Sequence, residues 1–136
     1  MGLCWEIDRD EALVTVVAEG RIRRAEVDTL LDDILAAEVR PLAKLVDSSL
    51  AVPSMPVEDL LAIAMRIRDQ QGGPAGPLAF VQPRHTEGVG RLLGILATLP
   101  RPMRIFRRRS AAARWLLTVR AQGAVRSPQS RGMVPR

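Results

Sequence analysis

The chain has 136 residues, of which 47% are hydrophobic and 26% are charged. This length suits one domain with a single core, and the composition is that of an ordinary globular protein. The single cysteine, Cys4, excludes an internal disulfide and favours a cytoplasmic protein, with the thiol packed inside a strand. Acids begin at Glu6 and no stretch approaches roughly 18 uncharged apolar residues, so we expect neither a signal peptide nor a transmembrane segment.

Charge divides the chain into an acidic and a basic part. Residues 1–87 carry nine basic and all fifteen acidic residues, a net charge of −6, whereas residues 88–136 carry eleven Arg and no acid. This asymmetry indicates an anionic partner for the basic part. The alternative is self-pairing, in which the acidic first helix faces the basic last helix. The sequence leaves both interpretations open.

The first half of the chain predicts a hairpin, a helix and a third strand. "LCWEID" (3–8) alternates apolar and polar residues as a half-buried strand does, and "ALVTVVAEG" (12–20) is apolar on both faces, which is typical of a strand inside a sheet. From Ala25 to Val39 the apolar residues recur at helical spacing, and Pro41 breaks the helix. "AKLVD" (43–47) then predicts a short buried strand.

The second half predicts three helices that alternate with two strands. A helix starts near Pro56 and ends at about Gln71, before two glycines. "PLAFVQP" (77–83) and "MRIF" (103–106) read as strands, with a helix between them at "VGRLLGILATL" (89–99). A last helix, capped by Ser110, buries its Trp and the Leu beside it.

These elements follow one another in the order β-β-α-β-α-β-α-β-α. Strands joined by single helices pair in parallel, and the first hairpin adds an antiparallel member. The sequence therefore predicts an α/β fold with a single mixed sheet of about five strands. We place the domain at residues 1–119 and expect residues 120–136, which are basic and rich in Gly, Pro and Ser, to form a disordered tail.

Three segments follow one another in a characteristic order: "VTVVAEGRI" before an acidic helix, "LVD" before a loop and a helix, and "RIFR…AARWL" near the end of the domain. Over residues 3–119 the chain thereby resembles the STAS family (sulphate transporter and anti-sigma factor antagonist), particularly its small stand-alone members of the sporulation stage II AA type. The resemblance implies a STAS-like fold and a non-enzymatic regulatory module that binds a partner protein. It also implies, for some members, control by phosphorylation of a Ser or Thr at the start of the second helix.

The segment "LVDSSLAVPSM" (45–55) contains an imitation of the family's phosphorylation pattern. That pattern, Asp-Ser-Ser-Gly, stands at the helix start, whereas here Asp47, Ser48 and Ser49 directly follow the strand and no Gly comes after them. For these three residues we predict an Asx or Ser turn. By position the phospho-acceptor falls at Ser54, whose alternative role is that of a plain helix N-cap. Residues 47–61 are the predicted surface for a protein partner.

The carboxyl edge of the predicted sheet also raises the question of catalysis. His85 is the only histidine, so a hydrolase triad would combine it with Asp47 and with Ser48 or Ser49. The nucleophile-elbow pattern Gly-x-Ser-x-Gly is absent. We therefore predict a protein that is not an enzyme and has no cofactor or metal. The same edge, which gathers Asp47, Ser48, Ser49, His85 and Glu87 with Arg108 beside them, is instead a candidate for binding a ligand or a partner.

"FRRRSAAAR" (106–114) is a candidate anion site. Arg107, Arg108 and Arg109 stand just before a helix N-terminus, and this arrangement becomes favourable when an anion docks there. Interleaved aromatic residues are missing, which disfavours nucleic acid. An anionic ligand, an anionic lipid surface and an ordinary solvated basic loop remain as interpretations.

Overall fold

The computed structural model describes residues 2–52, 54–69, 75–84 and 101–120 of the chain. Within these ranges the protein is an α/β structure, in which three helices accompany one five-stranded mixed sheet. In chain order the elements are β1 (Gly2–Asp8), β2 (Leu13–Arg21), α1 (Arg24–Ala37), β3 (Ala43–Val52), α2 (Val57–Asp69), β4 (Leu78–Val81), β5 (Met103–Phe106) and α3 (residues 109–120).

The predicted fold class is confirmed. The strands lie in the order β1-β2-β3-β4-β5; the β1–β2 pair is antiparallel and the other three pairs are parallel. The STAS-like character of the fold stays a prediction. The helix predicted at 89–99, the helix end predicted at Gln71 and residues 121–136 lie outside the described residues. None of the helices in the described ranges is long and apolar enough to cross a membrane.

Glu26 anchors the start of α1 to the sheet. Its carboxylate accepts hydrogen bonds from the backbone N–H groups of Arg23, at 3.0 Å, and of Leu3 in β1, at 3.1 Å. These two donors, Arg23 first, lower the pKa of Glu26 because they stabilise its charged form. The helix ends at Ala37, two residues before the predicted end, because Glu38 adopts a left-handed conformation with φ 55°.

Three apolar clusters lie on the sheet, and two of them include helix residues. One joins α1 to β2 through Val14, Val16 and Leu30, and the other joins α3 to β3 and β4 through Leu45, Val81 and Leu116. Residues of one parity along each strand serve the first cluster and residues of the other parity serve the second. The α3 cluster includes Leu13 of β2 but no residue of β1.

Because the α3 cluster contains no residue of β1, the prediction of a packed Cys4 thiol is wrong. The thiol was predicted to be packed, but Cys4 is exposed, because it faces away from the α1 cluster at a point that the α3 cluster does not reach.

β3 is longer than predicted. The Asx or Ser turn predicted for residues 47–49 is wrong, because these residues belong to the strand. It has ten residues and includes Asp47, Ser48 and Ser49, because β2 continues beside it as far as Arg21 and supplies backbone partners. The register shifts between Val17 and Glu19, so that β3 holds one extra residue, a β-bulge. β4 ends at Val81 opposite Asp47, so residues 48–52 project beyond it. We call residues 48–52 the β3 extension.

α3 begins earlier than predicted. The backbone N–H of Ala112 donates to the carbonyl of Arg108 at 3.2 Å, so Arg108 is the N-cap and Ser110 lies inside the first turn. The predicted Ser110 cap is therefore wrong. The inward face is as expected: Leu116 is buried, and the half-buried Trp115 packs against Phe106 with ring centroids 5.8 Å apart.

Candidate functional site

A carboxylate, a hydroxyl and a guanidinium come together in the middle of β3, where β4 ends beside it. Asp47 is 8% exposed, and its Oδ1 accepts hydrogen bonds from the Ser49 backbone N–H at 3.0 Å and from the Ser49 hydroxyl at 2.7 Å. Its Oδ2 lies 3.6 Å from Nη1 of Arg109. Asp47 thus keeps the Asx-type hydrogen bond expected of a turn while it stands in a continuous strand, directly before the bulge.

The arginine at this edge is not the expected one. We expected Arg108 beside Asp47, but Arg108 is the N-cap of α3, and the next residue, Arg109, reaches the carboxylate. The Arg109 side chain is half exposed, so this ion pair contributes about 0.5 kcal/mol or less to stability. Arg107 and Arg108 are exposed and form no ion pair within the described ranges.

Ser48 is tied to the neighbouring strand. Its hydroxyl donates to the carbonyl of Val81 at 2.6 Å, and the residue is buried. The bond satisfies a carbonyl at the point where β4 ends, so Ser48 has a clear structural role. A kinase could not reach this hydroxyl without opening the sheet edge.

The remaining catalytic candidates lie elsewhere in the chain. His85 and Glu87 are outside the described residues, so the structure does not test a triad of Ser49, His85 and Asp47, and the absence of enzymatic activity stays a prediction. No group of three or more His, Cys, Asp or Glu side chains that could hold a metal ion occurs in the part of the chain that the structure describes.

Ser54 is exposed and lies three residues before the first residue of α2. The carbonyl of Pro56 accepts the N–H groups of Asp59, at 3.0 Å, and Leu60, at 3.1 Å, so Pro56 is the N-cap. The N-cap interpretation of Ser54 is therefore wrong, because the helix starts one residue after Pro56. Its interpretation as a phospho-acceptor stays a prediction.

α2 carries apolar side chains on its outer face as well as its inner one. Ile63 and Ala64 are buried, while Val57, Leu61 and Met65, spaced four residues apart, are between 40% and 51% exposed. We call these three residues the α2 stripe. In the β3 extension, Leu50 and Val52 are also more than half exposed.

Sequence reasoning included part of this surface in residues 47–61 but missed the stripe. The available signal was the width of the apolar arc of α2. A helix that covers one core needs an apolar stripe of roughly 100°, whereas Val57, Leu60, Leu61, Ile63 and Met65 are spread around most of the circumference.

Ion pairs join α1 to α2, and both helices lie in the acidic part of the chain. Asp28 and Asp32 of α1 both pair with Arg66 of α2, the first at 3.0 Å. Arg24 adds a bridge at 3.5 Å from α1 to Asp59 of α2. The predicted pairing of the acidic first helix with the last helix is therefore wrong for the described residues.

The last helix pairs with other acids. In addition to the contact between Arg109 and Asp47, Arg120 of α3 lies 3.5 Å from the carboxylate of Glu11 in the turn between β1 and β2. Some of the basic charge is thus neutralised within the chain, as self-pairing requires, but not by α1.

Comparisons of the chain with protein-family models, with curated proteins and with solved structures find no match. The resemblance to the STAS family therefore rests on the sequence segments described above.

Proposed function

We propose that this chain is a cytoplasmic, non-enzymatic protein-interaction module of STAS-like type, and that its α2 stripe binds a partner protein. The observation that carries the proposal is the exposure of Val57, Leu61 and Met65 on one face of a helix whose other face is already packed. Exposed apolar side chains that cluster in this way mark interaction sites in many proteins.

The surroundings of the stripe fit helix-in-groove recognition. Glu58 and Arg68 are exposed on the same face, at either end of Leu61 and Met65, and would form a polar rim around an apolar centre. Burial of a half-exposed Leu or Met side chain contributes about 1 kcal/mol, so these two residues together account for about 2 kcal/mol of binding. The partner is accordingly a protein with an apolar groove.

Phosphorylation of Ser54 is the regulatory part of the proposal. The side chain is exposed, and α2 with its stripe begins three residues later. A phosphate there would add up to about two negative charges beside the free N–H groups and the positive end of the helix dipole. We expect a phosphosite map of the cellular protein to contain Ser54, and Ser54→Asp to change partner affinity while Ser54→Ala does not.

The test of the interface uses the full chain with Leu61→Ser and Met65→Ser. Cross-linking and mass spectrometry identify a partner of the wild-type chain, and calorimetry with the purified partner then compares the variants. We expect the double variant to bind roughly 30-fold more weakly, which corresponds to the loss of about 2 kcal/mol. Leu35→Ser is the matched control, because Leu35 is 54% exposed on α1. Equal loss in the control, or no loss in the double variant, would contradict the proposal.

A second candidate function is binding to an anionic ligand or membrane surface through the Arg-rich segment. Arg107 and Arg108 favour it, because they are exposed and have no ion-pair partner within the described ranges. We expect salt-sensitive co-sedimentation with phosphatidylserine vesicles that is lost in Arg107→Gln/Arg108→Gln. Binding that ignores salt would exclude this function, and turnover of esters or nucleotides that depends on His85 would exclude both.

A further inference from the structure

The opposite, amino edge of the sheet contains a charge that is enclosed by backbone. Lys44 of β3, the only lysine in the chain, is 6% exposed. Its ammonium donates three hydrogen bonds to carbonyls of the loop between α1 and β3: Val39 at 3.0 Å, Arg40 at 2.9 Å and Leu42 at 2.9 Å. All three N–H groups are used, so this positive charge is held at one position.

Gly76, in the segment before β4, contacts the same loop. Its N–H donates to the carbonyl of Arg40 at 2.9 Å. A Cβ at this position would lie 2.3 Å from the carbonyl oxygen of Leu42 and 2.5 Å from that of Pro41, so only glycine fits. We call the three carbonyls around the Lys44 ammonium the carbonyl cage. They belong to the loop between α1 and β3, and the segment that contains Gly76 holds this loop in place.

A second cation is brought to this edge by the strand register. Lys44 pairs with Leu78, and Leu78 pairs with Met103. Arg101 lies two residues before Met103, which places it on the same side of the sheet as Lys44. The Nε atom of Arg101 is buried and has no hydrogen-bond partner among the described residues.

Within the described residues, no acidic side chain pairs with the positive charges at this edge. Burial, and to a smaller extent the charges of Arg101 and Arg40, together lower the pKa of Lys44 to about 8. Burial likewise lowers the pKa of Arg101. The ion pairs of the described residues include none of these three side chains. Buried charges without a partner are costly, and an anion would remove that cost.

We propose that this amino edge is a binding site for a small phosphate-type oxyanion, held by the guanidinium groups of Arg101 and Arg40. Guanidinium forks match phosphate oxygens in geometry and charge. Lys44 contributes a fixed positive charge behind them and no direct contact, because its donors are occupied. The site is separate from the α2 stripe and does not depend on the proposed function.

The experiment titrates the full chain with inorganic phosphate at pH 7 and constant ionic strength, with chloride as the reference. We expect a saturable calorimetric isotherm and a melting temperature that rises with phosphate concentration. Arg101→Gln should weaken binding by roughly tenfold or more, since it removes a charge-assisted contact. Arg40→Gln is the second variant, because it keeps the carbonyl that Lys44 and Gly76 use.

Arg107→Gln/Arg108→Gln is the matched control and should bind phosphate as the wild type does. Circular dichroism establishes that each variant is folded. Absence of saturable phosphate binding by the wild type would overturn the proposal. Equal loss of binding in the control and in the Arg101 and Arg40 variants would also overturn it. Vesicles containing phosphatidic acid distinguish the source: retention that Arg101→Gln abolishes identifies a lipid headgroup, and phosphate binding without retention identifies a soluble anion.

Discussion

At the scale of single residues, Lys44 and Asp47 are buried charges that the fold treats differently. Asp47 is compensated by hydrogen bonds from Ser49 and by the Arg109 guanidinium. Lys44 has only carbonyl dipoles around it and two like charges nearby. The carbonyl oxygens stabilise the ammonium, yet burial outweighs them and its pKa falls to about 8.

Because Lys44 is the only lysine, its titration can be observed directly. We expect the ¹³Cε resonance of Lys44 to titrate near pH 8, where an ordinary lysine titrates at 10.5. Between these values the unfolded chain binds more protons than the folded one, so the free energy of unfolding should rise as the pH increases from about 8 to 10.5. Below pH 8 this contribution should be constant.

Lys44→Met is the reference for the stability measurement. Chemical denaturation of both proteins across this pH range isolates the contribution of Lys44 to stability, because the two proteins share every other titratable group. A midpoint near 10.5, or the same pH dependence in both proteins, would show that the ammonium is not buried as described.

The residue scale also shows where local patterns mislead. "DSS" has the composition of a turn, and Asp47 does make the hydrogen bond of an Asx turn. Yet β2 extends alongside to Arg21, and its backbone groups hold the same residues in a strand. Backbone pairing with a distant segment outweighed the local preference.

At the scale of elements, α2 is a helix with two apolar faces that differ in exposure. The inner face has Ile63, which is 4% exposed, and the outer face has the stripe. Periodicity located the start of this helix correctly, near Pro56, but could not distinguish the two faces. That distinction depends on where α1 lies, and Arg66 bridges to Asp28 and Asp32 fix α2 beside it.

Substitutions on the two faces of α2 should change the free energy of unfolding by different amounts. We expect Ile63→Ala to lower the free energy of unfolding by about 2 to 4 kcal/mol, because it leaves a cavity in packed surroundings. Leu61→Ser and Met65→Ser should each change it by about 0.5 kcal/mol or less, because both side chains face solvent. Urea denaturation measures all three. A large loss for Met65→Ser would mean that the stripe is part of the core and not a docking surface.

At the scale of the whole molecule, the middle of β3 has a strand partner on each side, whereas in the described structure its carboxyl end has a strand partner on one side only. Residues 44–47 of β3 pair with β2 on one side and β4 on the other. The β3 extension pairs only with β2 in the described structure, since β4 stops opposite Asp47. Half of its backbone groups therefore face an edge without a strand partner.

Hydrogen exchange should report this difference. We expect amides of residues 44–47 to be the slowest and those of residues 49–52 to exchange faster in the free protein. A bound partner that covers the α2 stripe and this edge should slow the second group. Equal protection of both groups in the free chain would show that the extension is already covered and would weaken the proposed interface.

Apart from the helix predicted at 89–99, which stays a prediction, the sequence by itself determined the order of the elements and, from it, the mixed α/β sheet. This was sufficient because hydrophobic periodicity and the proline positions act over a few neighbouring residues, and because single helices between strands favour parallel pairing. The sequence did not indicate that β3 continues past Asp47 to Val52, where β2 supplies its backbone partners. The choice of Arg109 over Arg108 was beyond it, since that depends on where α3 begins.

Only the tertiary structure decided which residues meet across the molecule. The contacts between Ser48 and Val81, between Asp47 and Arg109, and of Lys44 with its carbonyl cage depend on the register of neighbouring strands and the closure of loops. A shift of one residue would turn each of these side chains to the other face of the sheet. Exposure is decided in the same way: Leu61 and Ile63 are both aliphatic residues of one helix, and the position of the neighbouring elements leaves one open and buries the other.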